Sequence, residues 1–333
     1  MRLVLLRATK DQRQGPRRAV RISTTLLCCL ATSTVAAGQV SQTTSFDDLL
    51  NGIRTSEKKL LNLRVDSKCF YTEWDETKQD WQYVSETHET AWYDGKPGGK
   101  ARVDTHKAIG RWEKGATPFA QYSVSATYDG RVGRQLKIES GPAGSPTETL
   151  EGEMTTNRPF FLEAGGGFST GWPCSLYGCK DQLKRRLSEY LERWKKSPLA
   201  QCSVSSVQFQ DRDCIKLVVE VRHPKFGQQK ETWYFDPSRG YAILFDEMGW
   251  GREVTVEKLS EPAPGVFYPV RATFQSQKHG DRPKTKAQYE ASAVVANDPN
   301  FSDDIFTINW PMGARVEDRV NGTQFTVGQS DGP

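Results

Sequence analysis

From Leu63 onward, hydrophobic and polar positions alternate with a period of two, interrupted by short runs of Gly, Pro and Asp. A half-buried strand has this period because successive side chains point to opposite faces of the sheet. The pattern predicts strands at 64–74, 81–93, 100–107, 119–128 and 132–139. Seven more follow at 202–210, 213–222, 230–236, 241–247, 252–259, 266–277 and 284–295. Tyr122, Val124, Ala126 and Tyr128 alternate with small or polar partners, as do Ile215, Leu217, Val219 and Val221. Asp94-Gly95 and Asp129-Gly130 are turn signals between neighbouring strands. Connections this short permit only antiparallel pairing, because parallel neighbours need a long crossover.

Two stretches have the helical period instead. Ser45-Phe-Asp-Asp48 offers a capping hydroxyl followed by acids in the first turn. Phe46, Leu49, Leu50, Ile53, Leu60 and Leu61 then recur at helical spacing up to about Asn62. Asp181 to Lys196 is amphipathic, with Leu183, Leu187, Tyr190, Leu191 and Trp194 on one stripe and Arg and Glu on the other face. Residues 140–175, rich in Gly and Pro, read as loop or insertion, and 301–327 as a closing segment with short strands. The fold class is therefore mainly β: one large antiparallel sheet with a few α-helices, curved or closed to cover its edges. The expected organisation is a leader at 1–37 and one β domain at 38–333, carrying an insertion at about 140–200 that contains one helix.

Charge changes the picture once the leader is set apart. Arg2, Arg7, Lys10, Arg13, Arg17, Arg18 and Arg21 precede an uncharged run from Ile22 to Ala37, which ends in the small residues Val35-Ala36-Ala37. Basic, apolar and small-residue segments in that order form a secretory signal. The whole chain carries 45 basic and 41 acidic residues, or +4. The leader holds seven of the basic residues and one acid, so 38 basic and 40 acidic residues remain and the mature chain is at −2. That leaves no clustered basic footprint for nucleic acid, and no later stretch approaches the length of a transmembrane span. The expected location is the periplasm or the secreted fraction.

Candidate chemistry is sparse. Gly167-Phe-Ser169-Thr-Gly171 fits the string of a nucleophile elbow, but the elbow needs a strand before the serine and a helix directly after it. Three glycines precede this one and Trp172-Pro173 follow, so a hydrolase using Ser169 is the minor alternative. His88, His106, His223 and His279 show no metal-ligand spacing, and no phosphate loop occurs. No catalytic residue, metal or cofactor is expected. Five cysteines follow the leader; in an oxidising compartment Cys174 with Cys179, and Cys202 with Cys214, are disulfide candidates, with Cys69 left over.

Trp92-Tyr-Asp-Gly-Lys96 with Arg102, Tyr128-Asp-Gly-Arg131, and Glu231-Thr-Trp-Tyr-Phe-Asp-Pro237 with Gly240-Tyr241 are patches that resemble the LolA/LolB-type lipoprotein-carrier superfamily, the outer-membrane lipoprotein-sorting proteins. Phe306, Pro311, Gly313, Val316 and Asp318 near the end follow the family's spacing. The order of these patches, behind a leader and a short N-terminal helix, carries the resemblance over 45–139 and 202–320. The insertion at 140–200 has no counterpart. The resemblance implies an unclosed antiparallel barrel with helices on its concave side and a nonenzymatic role, sheltering acyl chains. Arg64 and Arg102 are the candidates for the family's ligand-gating arginine.

The function expected is an exported binding or carrier protein that holds a lipid, an acyl chain or a lipidated protein in an apolar cavity. Trp92, Tyr122, Val124, Trp233, Phe235 and Ile243 are the candidate cavity walls. Trp233 and Phe235 share a face with each other and not with Tyr234. The alternative is a regulatory module of the cell envelope, with the same fold around a filled core, that docks another envelope protein.

Overall fold

The computed structural model describes residues 44–96, 99–109, 120–140, 148–156, 186–223, 227–248, 251–277 and 283–329. Among them, fifteen strands form one sheet and two α-helices lie against it. The strands are β1 Leu63–Asp75, β2 Asp80–Tyr93, β3 Ala101–Ile109, β4 Ala120–Tyr128, β5 Gly133–Ser140, β6 Glu148–Thr155, β7 Ala200–Phe209 and β8 Arg212–His223. They continue as β9 Gly227–Asp236, β10 Ala242–Met248, β11 Arg252–Ala263, β12 Val266–Ser276, β13 Thr285–Ala296, β14 Arg315–Asp318 and β15 Thr323–Thr326.

The spatial order is β15-β14-β6-β5-β4-β3-β2-β1-β13-β12-β11-β10-β9-β8-β7. The first and last strands of that series do not pair, so the sheet is open. Two meanders, β1 to β6 and β7 to β13, are joined where β1 pairs with β13. Every pairing is antiparallel except β14 with β6, where the tail arrives from across the molecule and lies parallel. Glu148–Thr155, expected to be loop or insertion, is β6, and it fills the place between β5 and β14.

Helix α1 (Phe46–Glu57) begins as its sequence predicts. The Ser45 hydroxyl accepts from the Asp48 N–H at 3.1 Å, and the Asp48 carboxylate accepts in return from the Ser45 N–H at 3.1 Å. It stops at Glu57, short of the expected Asn62. Asn297 accounts for the early stop: its side chain accepts from the Leu61 N–H at 2.7 Å and donates to the Lys59 carbonyl at 2.8 Å. These bonds draw the chain away from the helix axis and leave Leu60 buried and Leu61 exposed. Helix α2 spans Leu187–Lys196, with Leu187 and Leu191 buried; Leu183 and the expected start at Asp181 lie outside the described residues.

Two turns need a residue without a side chain. Gly95, at φ +67°, sits so close to the α1–β1 connection that a Cβ would lie 2.6 Å from the Leu61 carbonyl oxygen. Gly240, at φ +60°, ends the Asp236-Pro237 turn, and Tyr241 follows at φ +59°.

Candidate functional site

The largest apolar cluster lies where both helices meet β7 to β10. Ile215, Leu217, Val219 and Val221 of β8, Trp233 and Phe235 of β9, and Ile243 of β10 form its floor. Leu49, Leu50 and Ile53 of α1, with Leu187 and Leu191 of α2, close over it. Trp233 and Phe235 are fully buried on this face, whereas Tyr234 packs on the other side against Phe209 and Phe245. Three of the six candidate wall residues, Trp233, Phe235 and Ile243, are thus brought together.

At the C-terminal end of α1 this cluster is incompletely filled. A cavity of about 30 Å³ lies between Ile53 and Glu57 of α1, Leu187 of α2, and Ile243, Leu259 and Phe267 of the sheet. That is room for roughly two waters, where one needs about 10–15 Å³. Ser56, Gly240, Tyr241, Gly265 and Phe267 line both this cavity and a wider groove of about 550 Å³ that is rimmed by Asn51, Thr55, Lys59 and Glu261. A small apolar interior and a larger, polar-rimmed mouth therefore share a wall.

Besides the buried Leu49, Leu50 and Ile53, three polar contacts fasten helix α1. The Arg54 guanidinium reaches Glu192 of α2 at 2.5 Å, and Lys195 reaches Asp47 at 2.5 Å. Both pairs are solvent-exposed in part, so each contributes little. Glu57, 7 % exposed, accepts from the Ser188 N–H at 3.0 Å and from its hydroxyl at 2.5 Å. Burial pushes the Glu57 carboxyl above the ordinary carboxylate range, against the opposing effect of the two Ser188 bonds. Finally, the Tyr241 ring lies on Gly52, where a Cβ would approach the ring to 2.0 Å.

The remaining candidates lie elsewhere. Val124 packs with Ala91, Ala101, Val103 and Ala126 in a separate cluster, and Tyr122 lies half-buried at its edge. Trp92 is next to Ala91 in β2 and points to the opposite face, so it does not share a wall with Val124. It stands between Arg64 and Arg102, its partners on β1 and β3, with the guanidinium carbons 5.8 and 5.5 Å from its ring. Arg102 also binds Asp104 at 2.9 Å and the Ile305 carbonyl at 3.0 Å, tying the tail to β3.

Cys202 and Cys214 are free thiols, contrary to expectation. The β7–β8 register pairs Cys202 with Val219 and Cys214 with Val207. The two cysteines are five rungs apart, roughly 17 Å at ~3.3 Å per residue, well beyond disulfide reach. Cys69 is buried and free, its thiol pushed up to about 12 by burial. Ser169, Cys174, Cys179 and His279 lie outside the described residues. His88 and His106 face each other across β2 and β3, and among the described residues no group of three metal-ligating side chains converges.

Glu57, Ser188 and Gly52 belong to no motif of the sequence, and Tyr241 enters only through the patch around the Asp236-Pro237 turn. Gly52, a glycine inside a helical pattern, was the one local signal, since such a residue marks a close approach.

No protein-family model matches the chain, and no curated protein matches it in sequence. In three dimensions it is similar to a DUF1329 family protein from Desulfovibrio piger, at 10% identity and TM-score 0.40, over 78% of this chain and 95% of that one. It is also similar to a "putative outer membrane lipoprotein-sorting protein domain" from Vibrio parahaemolyticus, at 8% identity and TM-score 0.41, over 77% and 95%. A third is a β-barrel-like DUF1849 protein from Brucella abortus, at 9% identity and TM-score 0.28, over 72% and 99%. The lipoprotein-sorting type that the sequence motifs resemble is therefore among the structural neighbours. At these scores the likeness assigns neither a family nor a function. Among the described residues, no helix is long and apolar enough to cross a membrane.

Proposed function

We propose that the chain is an exported, nonenzymatic binding protein that takes an acyl chain, of a lipid or a lipidated protein, into the space between α1 and the sheet. In this reading residues 1–37 are a signal peptide removed on export, and 38–333 act as one β domain. The observation that carries it is the apolar cavity beneath α1, which shares a wall with the wider groove.

At about 30 Å³ the cavity is in a closed form. An acyl chain enters by displacing the Tyr241 ring and shifting the C-terminal turn of α1, while Leu49 and Leu50 stay packed on the sheet. Each methylene then removed from water contributes about 0.8 kcal/mol. Native mass spectrometry of gently purified protein tests this: a co-purifying lipid supports it, and bare protein that also fails to retain an added fatty acid refutes it.

The full burial of Trp233 and Phe235 favours a second reading, in which the core stays filled and the protein docks another envelope protein. Crosslinking in cells distinguishes them, because only that reading requires a protein partner with no lipid in the interior.

A further inference from the structure

The cavity beneath α1 opens into its groove past two turns that present bare backbone. Gly240 and Gly265 line both spaces. Their φ values are +60° and +71°, and a Cβ on Gly240 would lie 3.2 Å from the Gly265 carbonyl oxygen. The two turns are therefore packed against each other at the passage.

Lys59 lies across this backbone. A Cβ on Gly265 would meet its Nζ at 2.6 Å, its Cδ at 3.1 Å and its Cε at 3.3 Å. The main chain of Lys59 is itself held in place: its N–H donates to the Ser56 carbonyl at 3.0 Å, and its carbonyl accepts from the Asn297 side chain at 2.8 Å. The aliphatic stem thus rests on the turn while the ammonium stands where cavity and groove meet. Among the described residues that ammonium has no ion-pair partner.

Most other polar groups of the rim are already engaged. Thr55 donates to the Asn51 carbonyl at 2.8 Å, and Ser238 to Asp236 at 2.6 Å. Glu261, the rim's other charged residue, accepts from the Gly265 N–H at 2.7 Å. The Asn51 amide and the Ser56 hydroxyl have no hydrogen-bond partner among the described residues. A cation and two neutral donors are left to meet a ligand. Inward of them the walls are Ile53, Leu187, Ile243, Leu259 and Phe267, and the carboxylate of Glu57 is taken up by Ser188. An anion is repelled from that interior and attracted to the rim, whereas a hydrocarbon tail is favoured inside.

We propose that the groove is the head-group subsite of the cavity, and that its ligand is an acyl chain ending in an anion, a carboxylate or a phosphate, held by the Lys59 ammonium with Asn51 and Ser56 donating beside it. The proposal rests on the acyl-binding reading above and narrows its ligand class.

Isothermal titration calorimetry of the full chain tests it, with dodecanoate, dodecyl phosphate, dodecanol and dodecyltrimethylammonium, each below its micelle-forming concentration and at a pH that ionises the carboxylate. At least one anion should bind about two- to five-fold more tightly than dodecanol, the range for a partly exposed ion pair. Lys59→Gln should lose that preference with dodecanol affinity unchanged, and Lys59→Arg should keep it. A tighter dodecanoate supports a free fatty acid as ligand, and a tighter phosphate supports a phospholipid head. Dodecanol bound as tightly as both anions, the cation bound best, or a preference that survives Lys59→Gln overturns the proposal and leaves the acyl-binding reading standing. Failure of all four to bind overturns that reading and the proposal with it.

Discussion

The carboxylate of Glu57, at the last turn of α1, accepts hydrogen bonds from both the backbone N–H and the hydroxyl of Ser188, in the first turn of α2. One helix thereby caps the other across 131 positions of sequence. Because the first N–H groups of a helix have no partner within it, the contact satisfies a donor of α2 and fixes the angle at which α1 enters the core. Glu57→Ala should destabilise the protein by about 1–3 kcal/mol, the usual cost of leaving a buried donor unsatisfied. Chemical denaturation checks this.

The same residue gives a pH signature. A carboxyl raised in the folded state favours folding most when protonated, and that contribution is lost as pH rises from the unfolded value, about 4.3, through the folded one. Glu57→Gln keeps an acceptor for Ser188 and cannot ionise. Its stability relative to the wild type should therefore increase from acid toward neutral pH. A relative stability that is flat with pH, or that falls, would show that Glu57 does not carry the shift.

Gly52 and Tyr241 should behave as a pair. A methyl group at 52 meets the Tyr241 ring 2.0 Å from its Cβ, so Gly52→Ala should cost about 1–3 kcal/mol by overpacking. Tyr241→Ser removes the obstructing ring. In the double variant the loss should be smaller than the sum of the two single losses, as double-mutant unfolding free energies would show.

The three thiols among the described residues should differ in reactivity. Cys69 is buried and its thiol is raised to about 12, so it should resist alkylation in the native state, whereas half-buried Cys202 should react before it. Peptide mapping after brief iodoacetamide treatment checks the order. Oxidised protein should contain no Cys202–Cys214 bridge.

Asp236 is 1 % exposed and holds its turn together by accepting from the Ser238 N–H at 3.0 Å and from Arg212 at 3.1 Å. Losing one partner of a fully buried ion pair costs about 3–5 kcal/mol. Arg212 is 34 % exposed and Arg239 remains 3.8 Å away, so Arg212→Ala should fall below that range. A shift in urea midpoint at constant slope would confirm it.

Much of the fold was legible because it is written in local alternation. Tyr122-Val124-Ala126 and Ile215-Leu217-Val219 gave β4 and β8 directly, and Asp129-Gly130 gave the turn that joins β4 to β5. Glu148–Thr155 was missed because Glu-Thr-Leu-Glu-Gly-Glu-Met-Thr lacks the aromatic and Val/Ile residues that mark strands, and its place in the sheet depends on β5 and β14. The wall residues divide along the same line. Trp233 and Phe235 alternate within one strand, so their shared face was predictable. That Trp92 faces away from Val124 follows only from the register of three strands. The Cys202–Cys214 expectation failed because hairpin register, with its turn at Gln210-Asp211, decides which residues meet. The Glu57–Ser188 contact spans 131 positions and has no local signature.

The most direct test of the acyl-binding account is a titration of the protein with a fluorescent long-chain fatty acid, beside Leu259→Trp, which fills the cavity wall opposite α1. The account predicts saturable, one-to-one binding by the wild type and its loss in the variant, with the circular dichroism of the two unchanged. Absence of saturable binding to the wild type, or equal binding by a folded Leu259→Trp protein, would contradict it.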